Sequence, residues 1–178
     1  MLNKSYFKKN FTKKLIYMRI IWSTIGILIV LLTTIPMYIW AANADDYNYG
    51  TGNFIDINIV LNSGISFGMF SNNTTFVYFI QWFVSIMILI VAIFSNKWYY
   101  SLFLSLSFTG GFFNVIDRLI PVYIKCFNIE KHDQVLDYFH FVFGNTSWNF
   151  PDAFIISGII GVSLFYFINL LRDLVKKK

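Results

Sequence analysis

Two aspartates, Asp137 and Asp152, flank a run of aromatic and small residues and could act together as a pair. Asp152 is followed by residues 153–171, which carry no charge and are numerous enough to cross a bilayer. An acid at such a boundary commonly serves a function, because placing it there costs free energy. Two close aspartates share one proton, so the ionised carboxylate can draw a proton from water while the other donates to a developing oxyanion. This pattern predicts amide hydrolysis of the aspartic type.

A third acid, Asp117, competes with Asp137 for this role. It ends an uncharged stretch that begins at Trp98, and Arg118 follows it directly. An equally good interpretation is a structural Asp–Arg pair that pins the end of a helix, although adjacent residues on a helix do not face each other. Taken singly, Asp137 is explained as a solvated loop acid and Asp152 as a first-turn acid that complements the helix dipole. The residues alone therefore leave the choice of partner open.

The other reactive side chains fit less well. Cys126 is the single cysteine and cannot form an internal disulfide. His132 and His140 have no acid and nucleophile at a recognisable spacing, which disfavours a Ser/His mechanism. No cluster of Cys or His has metal-ligand spacing. We therefore expect neither a metal nor a cofactor.

The composition is typical of a membrane protein. Hydrophobic residues make up 57% of the chain and charged residues only 13%, against roughly 25% charged in an average soluble domain. The formal net charge of +5 could indicate nucleic-acid binding, but the basic residues cluster at the termini beside apolar stretches. We expect membrane lipids as neighbours and no nucleic-acid partner.

Four apolar stretches are long enough to span a bilayer, which needs about 20 residues each. The predicted spans cover about residues 20–42, 74–94, 98–117 and 151–171. The first is too long for a signal-peptide core of about 7–15 residues, so we interpret it as an uncleaved helix. Pro36 is expected to kink or end this helix, with Tyr38 and Trp40 at the interface. The sequence predicts an all-α polytopic membrane protein with four transmembrane helices.

The distribution of basic residues predicts the orientation of these helices. The N-terminal tail, Lys97 and the C-terminal lysines fall on one face of a four-helix arrangement, and most acids fall on the other. The positive-inside rule assigns the basic face to the cytoplasm. Both termini are therefore expected in the cytoplasm, and Asp117, Asp137 and Asp152 at or near the outer leaflet.

Two segments outside the spans, 45–73 and 119–148, are expected on the outer face. In the first, residues 54–60 partly alternate between apolar and polar, which predicts a short strand pair or small extracytoplasmic sheet resting on the membrane. The second shows no repeat and is interpreted as an outer loop. No linker separates a second domain, so we expect residues 1–178 to form one integral membrane domain that is monomeric.

Four short blocks carry a resemblance to a known family. Residues 62–68 resemble an Asn-x-Gly-Ala-Ala-Phe block, and residues 114–118 resemble an Asn-x-x-Asp-Arg block. Residues 135–138 and 149–152 resemble Val-x-Asp-Phe and Asn-x-Ala-Asp blocks. With these blocks in this order, the chain resembles the lipoprotein signal peptidases, also called signal peptidase II, which are four-helix aspartic peptidases of the bacterial plasma membrane.

The resemblance implies roles for the matched residues. Asp137 and Asp152 correspond to the catalytic pair of the family. The supporting set comprises Asn62 and Gly64 for the peptide backbone, Asp117 as a further acid, and Asn114, Arg118 and Asn149 for the substrate and the pair. The implied substrate is a prolipoprotein whose lipobox cysteine carries diacylglycerol, cut on the N-terminal side of that cysteine. An outer sheet and a mobile loop would enclose this lipopeptide.

The chain also departs from the family pattern. The family carries an Asp and a Lys near the outer end of the first span, where residues 33–38 of this chain include neither. Phe113 stands where a Gly usually precedes the Asn, and Pro151 replaces a small residue. A second hypothesis is therefore a catalytically silent relative that binds lipidated proteins as a scaffold. A third is a small proton-coupled transport subunit.

Overall fold

The computed structural model describes residues 11–50, 52, 54–65, 69–144 and 146–176. Within these residues, the regular structure comprises four long helices and five strands, besides two short 3-10 helices at Lys125–Phe127 and Val142–Gly144. In chain order, the long helices and the strands are α1 (Lys13–Ala42), β1 (Ile55–Asn62), α2 (Thr74–Ile93), α3 (Trp98–Leu119), β2 (Val122–Ile124), β3 (Ile129–Lys131), β4 (Val135–Phe141), β5 (Thr146–Trp148) and α4 (Phe150–Lys176). The protein is thus mostly helical with small sheets, as predicted.

Parts of three predicted features lie outside the described residues. They are Lys4, Lys8 and Lys9 of the basic N-terminal tail, Ser66, Phe67 and Gly68 of the first matched block, and Lys177 and Lys178 at the C-terminus.

Among the described residues, the helices α1, α2 and α4 are long and apolar enough to cross a membrane. Large apolar side chains cover their outer surfaces. Leu32, Phe79 and Tyr166 are 71%, 63% and 65% exposed, respectively. Water would not tolerate so large an apolar surface, whereas the hydrocarbon core of a bilayer matches it. The chain is therefore a membrane protein.

Helix α3 differs from the other three because its buried residues are largely small or polar. It is 22 residues long, and its buried positions include several serines, Thr109 and Asn114. It contacts all three other helices, so much of its surface faces protein and not lipid. A Cβ added at Gly110 would lie 2.5 Å from the carbonyl oxygen of Pro151 on α4. Small residues on α3 therefore permit the close approach of α4, which carries Asp152.

Helices α1 and α4 extend beyond the predicted spans. Helix α1 begins at Lys13 and continues through Pro36 to Ala42, so of the two expected effects of Pro36, a kink or a helix end, the helix end does not occur. Helix α4 continues past residue 171 to Lys176. These extra turns carry basic residues, whose long side chains can cover apolar surface while the charge stays in a polar environment.

The predicted small sheet exists, but the strands that pair with β1 come from a segment that was predicted to be a loop. Strand β1 pairs antiparallel with β4, which pairs antiparallel with β5. Strands β2 and β3 form a separate hairpin. The interpretation of residues 119–148 as an outer loop was therefore wrong. Strands β2, β3 and β5 have only 3 residues each, which is too short for a recognisable alternating pattern.

An apolar cluster fixes the sheet to one end of the helix bundle. Its buried members come from the end of α1 and from β1, β2 and β4: Ala41, Ala42, Ala44, Ile59, Ile124, Leu136 and Tyr138. Tyr138 also accepts a hydrogen bond at its hydroxyl from the Phe150 N–H, over 2.9 Å. This packing holds β4, and with it Asp137, against the first turn of α4.

Candidate active site

Asp137 lies on strand β4, where it pairs with Val60 of β1. Its side chain is almost fully buried, with 1% of the residue exposed. The Asn62 Nδ2 group donates to Asp137 Oδ2 over 3.0 Å, and the Asn149 Nδ2 group donates to Oδ1 over 2.9 Å. Both oxygens of this carboxyl therefore have an amide donor.

Asp152 lies in the first turn of α4 and takes part in its cap. The Asp152 N–H donates to Asn149 Oδ1 over 2.9 Å, and Asp152 Oδ2 accepts from the Asn149 N–H over 3.3 Å. This reciprocal pair is a capping box, which orients both side chains. The second oxygen, Oδ1, accepts from Asn114 Nδ2 over 2.8 Å.

Asn149 links the two aspartates. Its side chain is bonded to Asp137, its backbone N–H to Asp152, and its Nδ2 group also lies 3.2 Å from Asn114 Oδ1. Only 2% of Asn149 is exposed, so water does not compete for these bonds. The structure thus brings together five predicted site residues from four separate elements of the chain. They are Asn62, Asn114, Asp137, Asn149 and Asp152.

The environment of Asp137 favours its neutral form. Burial, and after it the negative charge of Asp152, raise the pKa of Asp137 well above the ordinary value for an aspartic acid. The hydrogen bond from Asn62 acts in the opposite direction because it stabilises the ionised carboxylate. Two carboxyls in such an arrangement can hold one proton between them at neutral pH.

Both carboxyls line a cavity of about 310 Å³. Its polar end includes Asn62, Asn114 and Arg118 beside the two acids. Its apolar walls come from α2 and α4: Ile80, Val84, Ile88, Ile155 and Ile156. The cavity can therefore hold a polar reacting group beside the acids and an apolar group between the helices.

Arg118 organises the backbone around this cavity and does not pair with Asp117. Its guanidinium donates to the carbonyl oxygens of Asn62 and Asp133 over 3.0 Å each, and to the Gly64 carbonyl oxygen. Gly64 in turn donates its N–H to Asn62 Oδ1 over 2.9 Å, so the Asn62 side chain is fixed from both sides. These bonds hold Asn62 and Gly64 in place at the cavity.

Asp117 does not pair with Arg118, which was one interpretation of the sequence. It bonds residues of other elements. Its Oδ1 lies 2.7 Å from the Lys131 Nζ and also accepts from the Tyr38 hydroxyl. Its Oδ2 accepts from the Leu136 N–H over 2.8 Å. Asp117 does not line the cavity, whereas Asp137 and Asp152 both do.

Sequence reasoning missed three residues around the site. Gln81 lines the cavity and accepts from Arg118 Nε over 3.1 Å; as a lone amide in an apolar span, it carried a signal that could have identified it. Tyr38 was expected at the membrane interface, but its hydroxyl bonds Asp117. Lys131 had no sequence signal, because a lysine in a polar segment is usually solvated.

The remaining reactive side chains lie elsewhere. His140 contacts Ser147 on the sheet, with 3.2 Å between Nδ1 and Oγ. His132 lies 3.8 Å from the Glu130 carboxylate and is exposed. Cys126 is half-buried between β2 and β3. None of these three residues lines the described cavity.

Comparison with solved structures identifies the fold. Two structures, both described as bacterial membrane enzymes, superpose with TM-scores of 0.65 and 0.60 at 23% and 21% sequence identity. The first match covers 88% of this chain and 91% of the other, and the second covers 87% and 93%. The helix bundle with its small sheets is therefore the fold of a known membrane enzyme.

Comparison with sequences identifies the family. The chain is 33% identical over 172 residues to a lipoprotein signal peptidase of Mycoplasmoides gallisepticum, covering 96% of this chain and 56% of the relative. It is 37% identical over 129 residues to one of Malacoplasma penetrans, covering 70% of this chain and 54% of the relative. The chain thus spans about half the length of these two relatives. The family model described as "Signal peptidase (SPase) II" matches residues 24–168. The chain therefore belongs to the signal peptidase II family.

Proposed function

We propose that this protein is an aspartic endopeptidase that removes the signal peptide from diacylglyceryl-modified prolipoproteins. The observation that supports this most strongly is the pair of carboxyls, Asp137 buried and Asp152 half-buried, bridged by Asn149 at the polar end of a partly apolar cavity. The names of the relatives in the family point to the same activity. The cut falls on the N-terminal side of the lipidated cysteine.

The chemistry assigns complementary roles to the two carboxyls. With one proton on the pair, the ionised carboxylate takes a proton from a water molecule as the water oxygen attacks the scissile carbonyl carbon. The protonated carboxyl donates to the carbonyl oxygen as it becomes an oxyanion. Proton transfer to the leaving amine then completes cleavage of the C–N bond and restores the pair. Asn62, Asn114 and Asn149 hold the carboxyl oxygens in position for these steps.

The lining of the cavity also matches a substrate that has a polar and an apolar part. Asn62 and Gly64 lie beside Asp137 and can position the peptide backbone, while Arg118 fixes both by their carbonyl oxygens. The isoleucine and valine walls from α2 and α4 can accept an acyl chain or an apolar lipobox side chain.

The proposed function implies a particular arrangement of the protein in the membrane. Residues 1–178 form one integral domain in which α3 crosses the bilayer together with α1, α2 and α4. Both termini lie in the cytoplasm, since the basic flanks belong there. The pair of acids then lies near the outer leaflet of the bacterial plasma membrane, and the sheet rests on that surface. The chain acts as a monomer.

A synthetic lipobox peptide tests the activity. Purified protein in nanodiscs is incubated with the peptide in two forms, one with a diacylglyceryl cysteine and one with an unmodified cysteine. We expect cleavage of the lipidated form just before the cysteine and little cleavage of the other, with the products identified by mass spectrometry. Binding of the lipidated peptide without turnover would instead favour a scaffold that binds lipidated proteins.

The pH dependence of cleavage should reflect the shared proton. Below the lower pKa of the pair both carboxyls are protonated and no base remains; above the upper pKa both are ionised and no acid remains. Because burial and Asp152 raise the pKa of Asp137, the alkaline limb of kcat/KM should lie well above about pH 4, where an ordinary aspartate titrates. Asp173→Asn, on an exposed part of α4, serves as the control and should leave the profile unchanged. Activity that rises steadily into strongly alkaline pH would contradict an acid–base pair of carboxyls.

A further inference from the structure

Lys131 is a charged side chain enclosed within the protein. Only 1% of the residue is exposed, and its Nζ lies 2.7 Å from Asp117 Oδ1. The same ammonium donates to the carbonyl oxygen of Gln134 over 3.1 Å, to that of Ile120 over 3.5 Å, and to that of Asp117. Its donors are therefore fully used, which offsets the cost of burying the charge.

The partner of Lys131 is bonded directly to the strand that carries Asp137. While Asp117 Oδ1 faces the ammonium, its Oδ2 accepts from the Leu136 N–H over 2.8 Å. Leu136 has no exposed surface and immediately precedes Asp137. A shift of the Asp117 carboxylate would therefore move the backbone from which the Asp137 side chain extends.

The ammonium is supplied by the β2–β3 hairpin and not by a helix of the bundle. Ile124 at the end of β2 is fully buried in the apolar cluster beneath the sheet, which holds the hairpin against the end of α1. Tyr38 of α1 donates to the same carboxylate as Lys131. The hairpin and α1 thus both contact the Asp117 carboxylate, and neither Lys131 nor Asp117 lines the described cavity.

We propose that Lys131 is a positioning residue for the Asp137–Asp152 pair, acting through Asp117 and the Leu136 N–H. Its ammonium pairs with Asp117 and holds that carboxylate against the Leu136 N–H of β4. Without the ammonium, a buried carboxylate lacks its counter-charge, so the side chain moves or water enters beside it. Either change loosens β4 beside Asp137. The effect on cleavage rests on the proposed peptidase function, whereas the effect on β4 does not.

Steady-state kinetics with the lipidated peptide test the effect on cleavage. Lys131→Met is expected to lower kcat about 10- to 100-fold with little change in KM, because misplacing a reacting group by about 1 Å can cost about 10²-fold. Lys125→Met, at an exposed lysine of the same hairpin, is the matched control and should retain wild-type kcat. An unchanged kcat in Lys131→Met would overturn the proposal.

A double variant separates positioning by charge from simple packing. In Lys131→Met/Asp117→Asn no buried charge is left without a partner, and the asparagine oxygen can still accept from the Leu136 N–H. We expect this variant to recover most of the kcat lost in Lys131→Met, since the two residues are coupled. If Lys131→Met fails to fold, the double variant is measured in its place. A double variant that is absent from the membrane, or that folds and remains as slow as the single one, would overturn the proposal.

Amide hydrogen exchange provides a readout that does not depend on cleavage. We expect faster exchange at Leu136 in Lys131→Met than in the wild type or in Lys125→Met, because its acceptor is no longer fixed. If the wild type fails to cleave the peptide, the proposed function fails, and exchange alone then decides whether Lys131 positions β4. Unchanged protection of Leu136 would show that it does not.

Discussion

Asp137→Asn and Asp152→Asn are each expected to lower kcat/KM for the lipidated peptide by about 10⁴-fold or more, the size typical of removing one member of a catalytic group. Asparagine has nearly the same shape as aspartate but can neither act as a base nor hold the shared proton. Residual cleavage, measured by mass spectrometry over long incubations, sets the size of the loss. Asp173→Asn removes an exposed carboxylate from α4 and should cleave like the wild type. Full activity in either variant of the pair would defeat the assignment.

Stability measurements distinguish lost chemistry from lost folding in these variants. Since the pKa of Asp137 is raised in the folded state, this carboxyl contributes stability below its unfolded pKa, and that contribution is lost as pH rises through the folded pKa. Asp137→Asn has no such loss. Its melting temperature should therefore equal or exceed that of the wild type at neutral pH, and the difference should grow with pH. If a variant were both inactive and less stable than the wild type, misfolding would explain its loss of activity.

Arg118→Met is expected to lower the free energy of unfolding by about 3–5 kcal/mol, because it removes the donor to several buried oxygens at once. Arg118 is 2% exposed. It donates to the backbone carbonyls of three residues and to one side-chain amide: Asn62, Gly64, Asp133 and Gln81. Arg118→Lys should be intermediate, since an ammonium keeps the charge but lacks the planar fork. Activity should fall with both variants, because Asn62 and Gly64 lose their support.

Unfolding in mixed detergent micelles, followed by loss of helical circular dichroism, measures this effect. Arg172→Met provides a matched control, because Arg172 is an exposed arginine on α4. It should change stability by less than about 0.5 kcal/mol, as is usual for surface substitutions. An Arg118→Met protein as stable as the Arg172→Met control would show that the bonds of Arg118 are replaced by water at little cost.

The resemblance indicated much of the site, whereas the residue types alone left the partner of Asp152 open between Asp117 and Asp137. The four blocks indicated Asn62, Asn114, Asp137, Asn149 and Asp152, and the structure brings these residues together. The blocks carry this information because each polar side chain at a membrane boundary needs a nearby partner. An Asp117–Arg118 pair was one of two interpretations left open, and the structure does not form it, since Arg118 bonds other groups. Lys131, the actual partner of Asp117, comes from a hairpin whose strands are too short to predict.

The sequence by itself determined the class of protein and the positions of its long helices. The free energy of transferring about 20 consecutive apolar residues into a bilayer is a sum over neighbouring residues. A local pattern in the sequence is therefore enough to identify a membrane span. Only the tertiary structure decided that Asn149 bridges Asp137 and Asp152, and that Lys131 pairs with Asp117. These contacts depend on how β4 and the β2–β3 hairpin pack against the ends of the helices. That packing joins segments far apart in the chain, and no local pattern of residues specifies it.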